Sequence, residues 1–546
     1  MKGKIFMAGK RNLKSLILTD SAGKARTFKK FLGRSYTVLS TEGFLKDLPK
    51  SRIGVDENYL PDYITVRGKG PLLAELRKET LNARRIFLAT SPNLRGEFLA
   101  RQLCEVFGVN QYSNCRMWFE EMTRDAIKNS LDNARAIDDK LADAFQAKQI
   151  IDKFVSHKIG EYLSFVIYRG VKVGRFRAML LKLINDFKPC AEITLNKNFT
   201  FANLQMLASK ELNFSAAKTR LLAEQLFEGI NFEKEGYSGL IACPTNEIKL
   251  TAENRTPDSV KDYLTESQLK LYQLIYSNSV EKIISPADCT ELSLAMKLES
   301  LGIDWSEVYS IGIASLIKRK YITAENSTFK ITELGRRVLS SVEKFFDKDF
   351  SIDSYKKLSA QIDDIAEGKA DKISVIKNYC DEFNKNFDKA VEELGEDAKP
   401  QDEPDIDSGE VCDKCGKPML VKHGRYGFFL ACSGYPDCKN VKPYVKYLDQ
   451  KCPKCGERLT KRDFGRGRSL CHCEAWDFQT WDEPQSTTCK NCGATMFTHK
   501  FKNRASMFYC GNEMCPTRED HPINKIIADA KKRSEARKTK VKNDDK

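Results

Sequence analysis

The chain has 546 residues, 41% hydrophobic and 30% charged, with a mean hydropathy of −0.47. That is room for roughly three or four domains of about 150 residues, with cores large enough to need no disulfides. No apolar run approaches the ~18–20 residues of a membrane span. Lysines and arginines interrupt the N-terminal stretch MKGKIFMAGKRNLKSLILTD, so no signal peptide is expected and the location reads as cytoplasmic. Ninety Lys+Arg against 75 Asp+Glu leave a net charge of +15, which points the chain toward polyanions.

Residues 12–135 read as an α/β domain. Ser15–Thr19 is a short apolar run ending at Asp20, and Lys24, Thr27, Phe28 and Phe31 follow at helical spacing up to Gly33. Arg85–Thr90 is a second buried strand, followed by SPNLRGE and the helical stretch FLARQLCEVFG. A strand, a polar loop and a helix, twice over, argue a doubly wound parallel sheet with its site at the carboxyl ends of the strands. Asp20 is expected to cap the following helix through N–H groups near Gly23 and Lys24. Residues 136–390 show a 3.6-residue apolar period in segments such as FANLQMLASKEL and AAKTRLLAEQLFEG, and form a helical body. Residues 391–411 are an acidic linker: the segment 391–410 holds nine acids, one lysine and two prolines.

Twelve of the 18 cysteines lie beyond the linker. They form three units over 412–440, 452–474 and 489–516, before a basic tail over 517–546. The first unit pairs Cys412 and Cys415 with Cys432 and Cys438. The second pairs Cys452 and Cys455 with Cys471 and Cys473, and the third pairs Cys489 and Cys492 with Cys510 and Cys515. Two pairs on knuckles, separated by a hairpin-sized spacer, suit tetrahedral thiolate coordination of zinc, so two or three zinc ions are expected. In the second unit the ending Cys471-His472-Cys473 is cramped. His472 could replace one thiolate there, or the unit could be metal-free. Cys104, Cys115, Cys190, Cys243, Cys289 and Cys380 have no partners in sequence and read as buried small apolar residues.

Basic and aromatic residues lie between the cysteine pairs: Arg425, Tyr426 and Phe428, then Arg466 and Arg468, then Lys500, Lys502 and Arg504. Aromatic faces stack bases and interleaved cations neutralise phosphates, so contact with single-stranded nucleic acid is expected. No unit carries the recognition helix of a Cys2His2 finger.

The string CDKCGKPMLVKHGRYGFFLACSGYPDC resembles the C-terminal zinc ribbons of bacterial type IA DNA topoisomerases. The opening LILTDSAGKARTFKKFLGRSYTVLSTEGFLKDLP resembles that family's VESPxKAKTI and GHIRDLP segments, and RRIFLATSPNLRGE its ATDPDREGE strand end. WFEEMTRDAI resembles FNEIT, Gly174-Arg175-Phe176-Arg177 the GRVQ stretch, and GLIACPTNE the segment of the catalytic tyrosine. The resemblance covers most of the chain. It implies a toprim-like domain, a topoisomerase body and zinc ribbons, with DNA contacts that include Lys24 and Arg175.

The chemistry departs from the family. Its acidic magnesium set reads here as Asp20, Ser91, Asn93 and Arg95, with Glu97 retained. Magnesium needs hard carboxylate oxygens, so none is expected to bind, and Arg95 is expected to place an opposing charge between Asp20 and Glu97. Cys243 stands where the tyrosine should be, Thr245 replaces an arginine, and no histidine occurs between His157 and His423. Tyr237 is six residues out of register. The arch of strands that separates the family's gate segments is reduced to about twenty residues between Arg177 and Phe199 and about a dozen between Ile275 and Cys289.

The expected function is that of a catalytically degenerate topoisomerase-like DNA-binding protein. The competing readings are an active topoisomerase or metal-dependent nuclease with an atypical nucleophile, and a scaffold or inhibitor acting on a topoisomerase or RNA polymerase.

Overall fold

The computed structural model describes residues 14–526 apart from 190–191, 195–198, 234, 243–247, 278–281, 285, 304–308, 326, 396–397, 403–405, 425–426, 464–468, 474, 476–477, 500–505, 520 and 525. The chain divides after residue 403 into two compact units.

In the first unit the strand Ser15–Thr19 lies in the middle of a three-stranded parallel sheet, between Tyr36–Ser40 and Ile86–Ala89. Side chains alternate across a strand. Ile17 therefore joins a core with Phe28, Val38 and Phe87, while Leu16 and Leu18 join a second core with Leu76, Leu88 and Leu99. Burial on both faces explains why these strands read as unbroken apolar runs. The helices Ala22–Leu32 and Leu94–Phe107 follow the strands as the sequence predicts. Ser21, rather than Asp20, caps the first of them: its hydroxyl accepts the Lys24 N–H at 3.2 Å.

The helical body is organised on the 28-residue helix Asp139–Val166, whose N-cap Asp138 accepts from the N–H groups of Lys140 and Leu141. It packs against Leu94–Phe107 on one side and against Ile352–Glu367 and Lys372–Leu394 on others. The patterns FANLQMLASKEL and AAKTRLLAEQLFE are the helices Phe201–Leu212 and Ala216–Glu228, capped by Thr200 and Ser215. The segments between Arg177 and Phe199 and between Ile275 and Cys289 meet in one short antiparallel pair, Glu192–Thr194 with Lys282–Ile284. Cys104, Cys115, Cys289 and Cys380 are buried as expected, and Cys190 and Cys243 fall outside the described residues.

The linker is shorter than its composition suggests. Residues 391–394 complete the helix Lys372–Leu394, and Ile406–Val411 forms a strand of the second unit. Amphipathic packing of Phe383, Phe387 and Ala390 carries the helix into the acidic segment. Among the described residues no helix is long and apolar enough to cross a membrane.

The second unit holds three antiparallel sheets in series. They span Ile406–Pro443, Lys446–Thr480 and Glu483–Cys510 and carry the three cysteine units, with Cys515 just beyond the third sheet. The second and third share a core of Cys452, Leu459, Cys473, Phe497, Tyr509 and Ile523. The start of the expected basic tail belongs to this core. Arg518 is buried, donates to the Cys510 carbonyl and lies 4.3 Å from the Tyr509 ring centroid.

Candidate functional site

At the carboxyl end of the sheet, Asp20 is closed off by its own neighbours. The Lys24 ammonium donates to its Oδ1 at 2.8 Å, while the Ser91 hydroxyl and N–H donate to Oδ2 at 2.6 and 3.0 Å. Lys24 Nζ also donates to Ser91 Oγ at 2.6 Å. Burial opposes ionisation of Asp20, but the Lys24 charge and the donors from Lys24 and Ser91 outweigh it and hold the carboxyl below its ordinary value of 3.8. The result is a compact ammonium–hydroxyl–carboxylate triangle in which a protein cation sits against the carboxylate.

Asn93 is a helix cap, its Oδ1 accepting the Gly96 N–H at 2.8 Å. Gly96 is required here by close approach, since a Cβ would lie 1.9 Å from the Ser91 carbonyl oxygen. Glu97 is fully buried. It accepts from Arg116 Nε at 2.8 Å, from Arg135 Nη1 at 3.0 Å and Nη2 at 3.2 Å, and from the Asp138 N–H at 2.8 Å. Arg116, also fully buried, spends its remaining donors on the carbonyls of Leu88, Thr90, Ser91 and Met117. Arg95, expected to oppose the two carboxylates, instead lies over the Phe44 ring at 5.1 Å. The opposing charges are Lys24, Arg116 and Arg135. A lone arginine inside the apolar run CRMWF was the sequence signal for a buried acid partner.

Elements of the helical body close the site from the other side. Ser21 Oγ donates to Glu228 at the end of the helix Ala216–Glu228, and Thr27 Oγ1 donates to the Glu228 carbonyl. A Cβ on Gly23 would lie 1.8 Å from Glu228 Oε2, so glycine admits this docking. The segment Gly239–Ala242 follows at the same seam, with the Gly239 N–H donating to the Met122 carbonyl at 3.0 Å and Leu240 and Ile241 buried. Cys243 and Thr245 lie outside the described residues. Tyr237 is engaged with Arg26, whose guanidinium lies 5.9 Å from its ring centroid.

The basic side chains expected at the DNA surface divide into two groups. Lys24 is spent on Asp20 and Ser91. Arg175 is buried, donates twice to Asp152 at 2.7 and 2.9 Å, and lies between the Tyr355 and Tyr379 rings. Burial of a cation demands an internal partner, so these charges are held inside the protein. Arg425, Tyr426, Arg466, Arg468, Lys500, Lys502 and Arg504 lie outside the described residues. Phe428 and Phe508 are exposed, as are Tyr435, Tyr447 and Trp481, three aromatics that the sequence did not single out.

The cysteine units are built on one repeated knuckle. Gly416, Gly456 and Gly493 each follow a Cys-x-x-Cys pair with φ of 69°, 81° and 71°, the left-handed region that glycine enters without strain. Their N–H groups donate to the carbonyls of Cys412, Cys452 and Cys489 at 2.8, 2.9 and 2.8 Å. The sulfurs of Cys412, Cys415, Cys432 and Cys438 lie within 4.8 Å of one another, as do those of Cys489, Cys492, Cys510 and Cys515. Four sulfurs on a tetrahedral zinc, with bonds of about 2.3 Å, stand about 3.8 Å apart. The Cys412–Cys438 and Cys489–Cys515 separations are 3.7 and 3.8 Å. Amide donors suit thiolate acceptors here, with Gly434 N–H on Cys432 at 3.3 Å and Asn440 Nδ2 on Cys412 at 3.3 Å. Both clusters fit zinc in spacing and donor type.

The second cluster differs: it gathers Cys452, Cys455 and Cys473 without Cys471. His472, the possible substitute, has its Nδ1 2.5 Å from Thr460 Oγ1.

Comparison with known proteins agrees with this architecture. The family model for the Toprim domain matches residues 15–122, and that for the topoisomerase DNA-binding C4 zinc finger matches 409–447 and 449–470. The structure of full-length topoisomerase I from Thermotoga maritima is similar to this chain with a TM-score of 0.61 and 21% identity, over 78% of this chain and 97% of that one. The chain carries a Toprim domain and topoisomerase-type C4 zinc-finger sequence, and it shares the fold of that topoisomerase I. Its toprim sheet carries the Asp20 and Glu97 networks, and its second unit carries the topoisomerase-type ribbons.

Proposed function

We propose that this topoisomerase-like protein binds single-stranded DNA through its ribbons and does not cleave or relax it. The observation that carries the reading is the closure of both retained carboxylates by protein cations, Asp20 by Lys24 and Glu97 by Arg116 and Arg135. A divalent cation would have to displace Lys24 from Asp20 and break a fully buried pair at Glu97. Neither Ser91 nor Asn93 would add a carboxylate oxygen in return. In this reading the short pair Glu192–Thr194 with Lys282–Ile284 stands in place of a gate-opening arch, and Cys243 is a relic. The exposed Phe428, Tyr435, Tyr447, Trp481 and Phe508 are stacking platforms, and the ribbon cations neutralise phosphates.

The full chain incubated with supercoiled plasmid and magnesium tests it. No relaxation, no nicking and no covalent adduct after denaturation are expected, with Cys243→Ser indistinguishable from wild type. Calorimetry should detect no magnesium site that Asp20→Ala removes. Binding to single strands should survive, with log affinity falling against log salt at a slope of roughly −3 to −4 for about four to six phosphates. Strong chelation should abolish it, because small zinc modules unfold without metal. Relaxation, or an adduct lost in Cys243→Ser, would overturn the reading.

A further inference from the structure

The three cysteine units share their first knuckle, so their second halves can be superposed by register. Met419 stands opposite Cys432 in the first sheet and Met496 opposite Cys510 in the third. In the second, Thr460 stands opposite His472, which places Leu459 against the next residue, Cys473. Met419 and Leu459 are fully buried, and Met496 packs against its own cysteine cluster. The sulfur pairs agree: Cys415–Cys432 at 3.2 Å, Cys455–Cys473 at 3.4 Å and Cys492–Cys510 at 3.4 Å are one and the same contact in each ribbon. Cys473 is therefore the third ligand of its ribbon.

Cys471, two residues earlier, takes the place that Leu430 has in the first ribbon. Leu430 is a core residue, and Cys471 is likewise buried. It pairs in the ladder with Lys461 and Thr480, at a position that the first ribbon uses for packing.

Among the described residues, the second cluster gathers three thiolates and no fourth ligand atom. In its neighbours that ligand comes five or six residues after the third, as Cys515 after Cys510 and Cys438 after Cys432. After Cys473 the sequence has no cysteine before Cys489 and no histidine before His499. His499 Nδ1 lies 2.7 Å from Asp482 Oδ1, and His472 lies against Thr460.

We infer that the second ribbon is an open three-thiolate metal site, in which Cys452, Cys455 and Cys473 hold a thiophilic divalent ion and an exchangeable small ligand from solution fills its fourth position. A closed four-sulfur shell marks a structural zinc site, whereas three protein ligands and an open position are what let a metal take a further ligand. Cys455 is half-buried, which leaves the cluster an approach from solvent, while Cys452 and Cys473 are anchored in the core shared with the third ribbon. The ligand class that suits such a position is a low-molecular-weight thiol, since a fourth sulfur would complete the shell that the other ribbons have.

Cobalt(II) replacing zinc in the full-length protein reads this directly. Wild type should take up three cobalt ions. The sulfur-to-cobalt charge-transfer intensity of the second site should be roughly three-quarters that of either neighbour, from three sulfurs instead of four. Adding 2-mercaptoethanol should raise that band toward the four-sulfur value. Cys471→Ser should keep all three ions and the thiol response, whereas Cys473→Ser should hold two ions and lose the response. The two ions retained by Cys473→Ser report that the other ribbons are folded, and Cys471→Ser tests the assignment without touching the cluster. Uptake of only two ions by wild type would overturn the inference. So would loss of an ion in Cys471→Ser, or a third site that shows no response to the thiol. These outcomes are independent of DNA binding and of strand cleavage.

Discussion

Replacing Glu97 by alanine separates a buried structural anchor from a surviving metal ligand. The carboxylate is fully buried and accepts four hydrogen bonds, three of them from the guanidinium groups of Arg116 and Arg135 and one from the N–H of Asp138. At an effective dielectric of about 20, one ion pair at about 4 Å is worth about 4 kcal/mol. Removing one partner of a buried pair costs about 3–5 kcal/mol, because the other charge stays behind unpaired. Arg116 keeps four carbonyl acceptors, and Arg135 is about one-third exposed, with a side chain 36% accessible, so both retain some compensation. That places Glu97→Ala near the lower end, at about 3 kcal/mol. Asp138 loses its N–H acceptor as well, and it is the N-cap of the helix Asp139–Val166, so the damage reaches the long helix of the body.

Urea unfolding of the full chain, followed by far-ultraviolet circular dichroism, should show the transition of the first unit lowered by about 1 M, for a slope of about 3 kcal/mol per M. Glu97→Gln, which keeps the shape and loses the charge, should fall between. A carboxylate poised to bind a cation would behave in the opposite way, since its removal relieves unfavourable charge and leaves stability equal or higher. Glu97→Ala within about 1 kcal/mol of wild type would refute the anchoring role.

Three further outcomes follow from the same geometry. Gly96→Ala should cost at least about 2 kcal/mol in the same unfolding experiment, since its Cβ would meet the backbone of Ser91 at 1.9 Å and that backbone has little freedom to yield. Burial, aided by the nearby Glu382 charge, pushes the Asp349 carboxyl up to about 6 despite its bond from Asn386 at 2.8 Å. Its folded value exceeds the unfolded one, so stability falls as pH rises from about 3.8 through about 6. Asp349→Asn should therefore stabilise by about 2 kcal/mol at pH 8, with no gain below about pH 4, by thermal melts across that range. Trp481→Ala and Phe508→Ala should each weaken single-strand binding by about 1–3 kcal/mol in a fluorescence anisotropy titration while leaving the metal content unchanged.

Local pattern was enough for several elements and for most of the cysteine clusters. The strand Ser15–Thr19 and the helices Phe201–Leu212 and Ala216–Glu228 were legible because period and capping residues are local properties of the chain. The first and third cysteine clusters were legible because knuckle spacing alone brings four sulfurs together. The helical start of the acidic linker was hidden, because packing of Phe387 and Ala390 outweighs an acidic composition.

Spacing grouped both Cys471 and Cys473 with Cys452 and Cys455, whereas strand register brings Cys473, and not Cys471, to that cluster. Nor could it reveal that Lys24 and Arg175, which look like DNA contacts in sequence, are turned inward to Asp20 and Asp152. The fate of Glu97 was equally hidden: its partners Arg116 and Arg135 are 19 and 38 residues away and meet it only when the sheet, the helix Leu94–Phe107 and the start of the long helix close on one another. Charge written along a chain has no direction. The tertiary structure decides whether it faces a ligand or another side chain, because a buried ion must find its counter-charge within the protein.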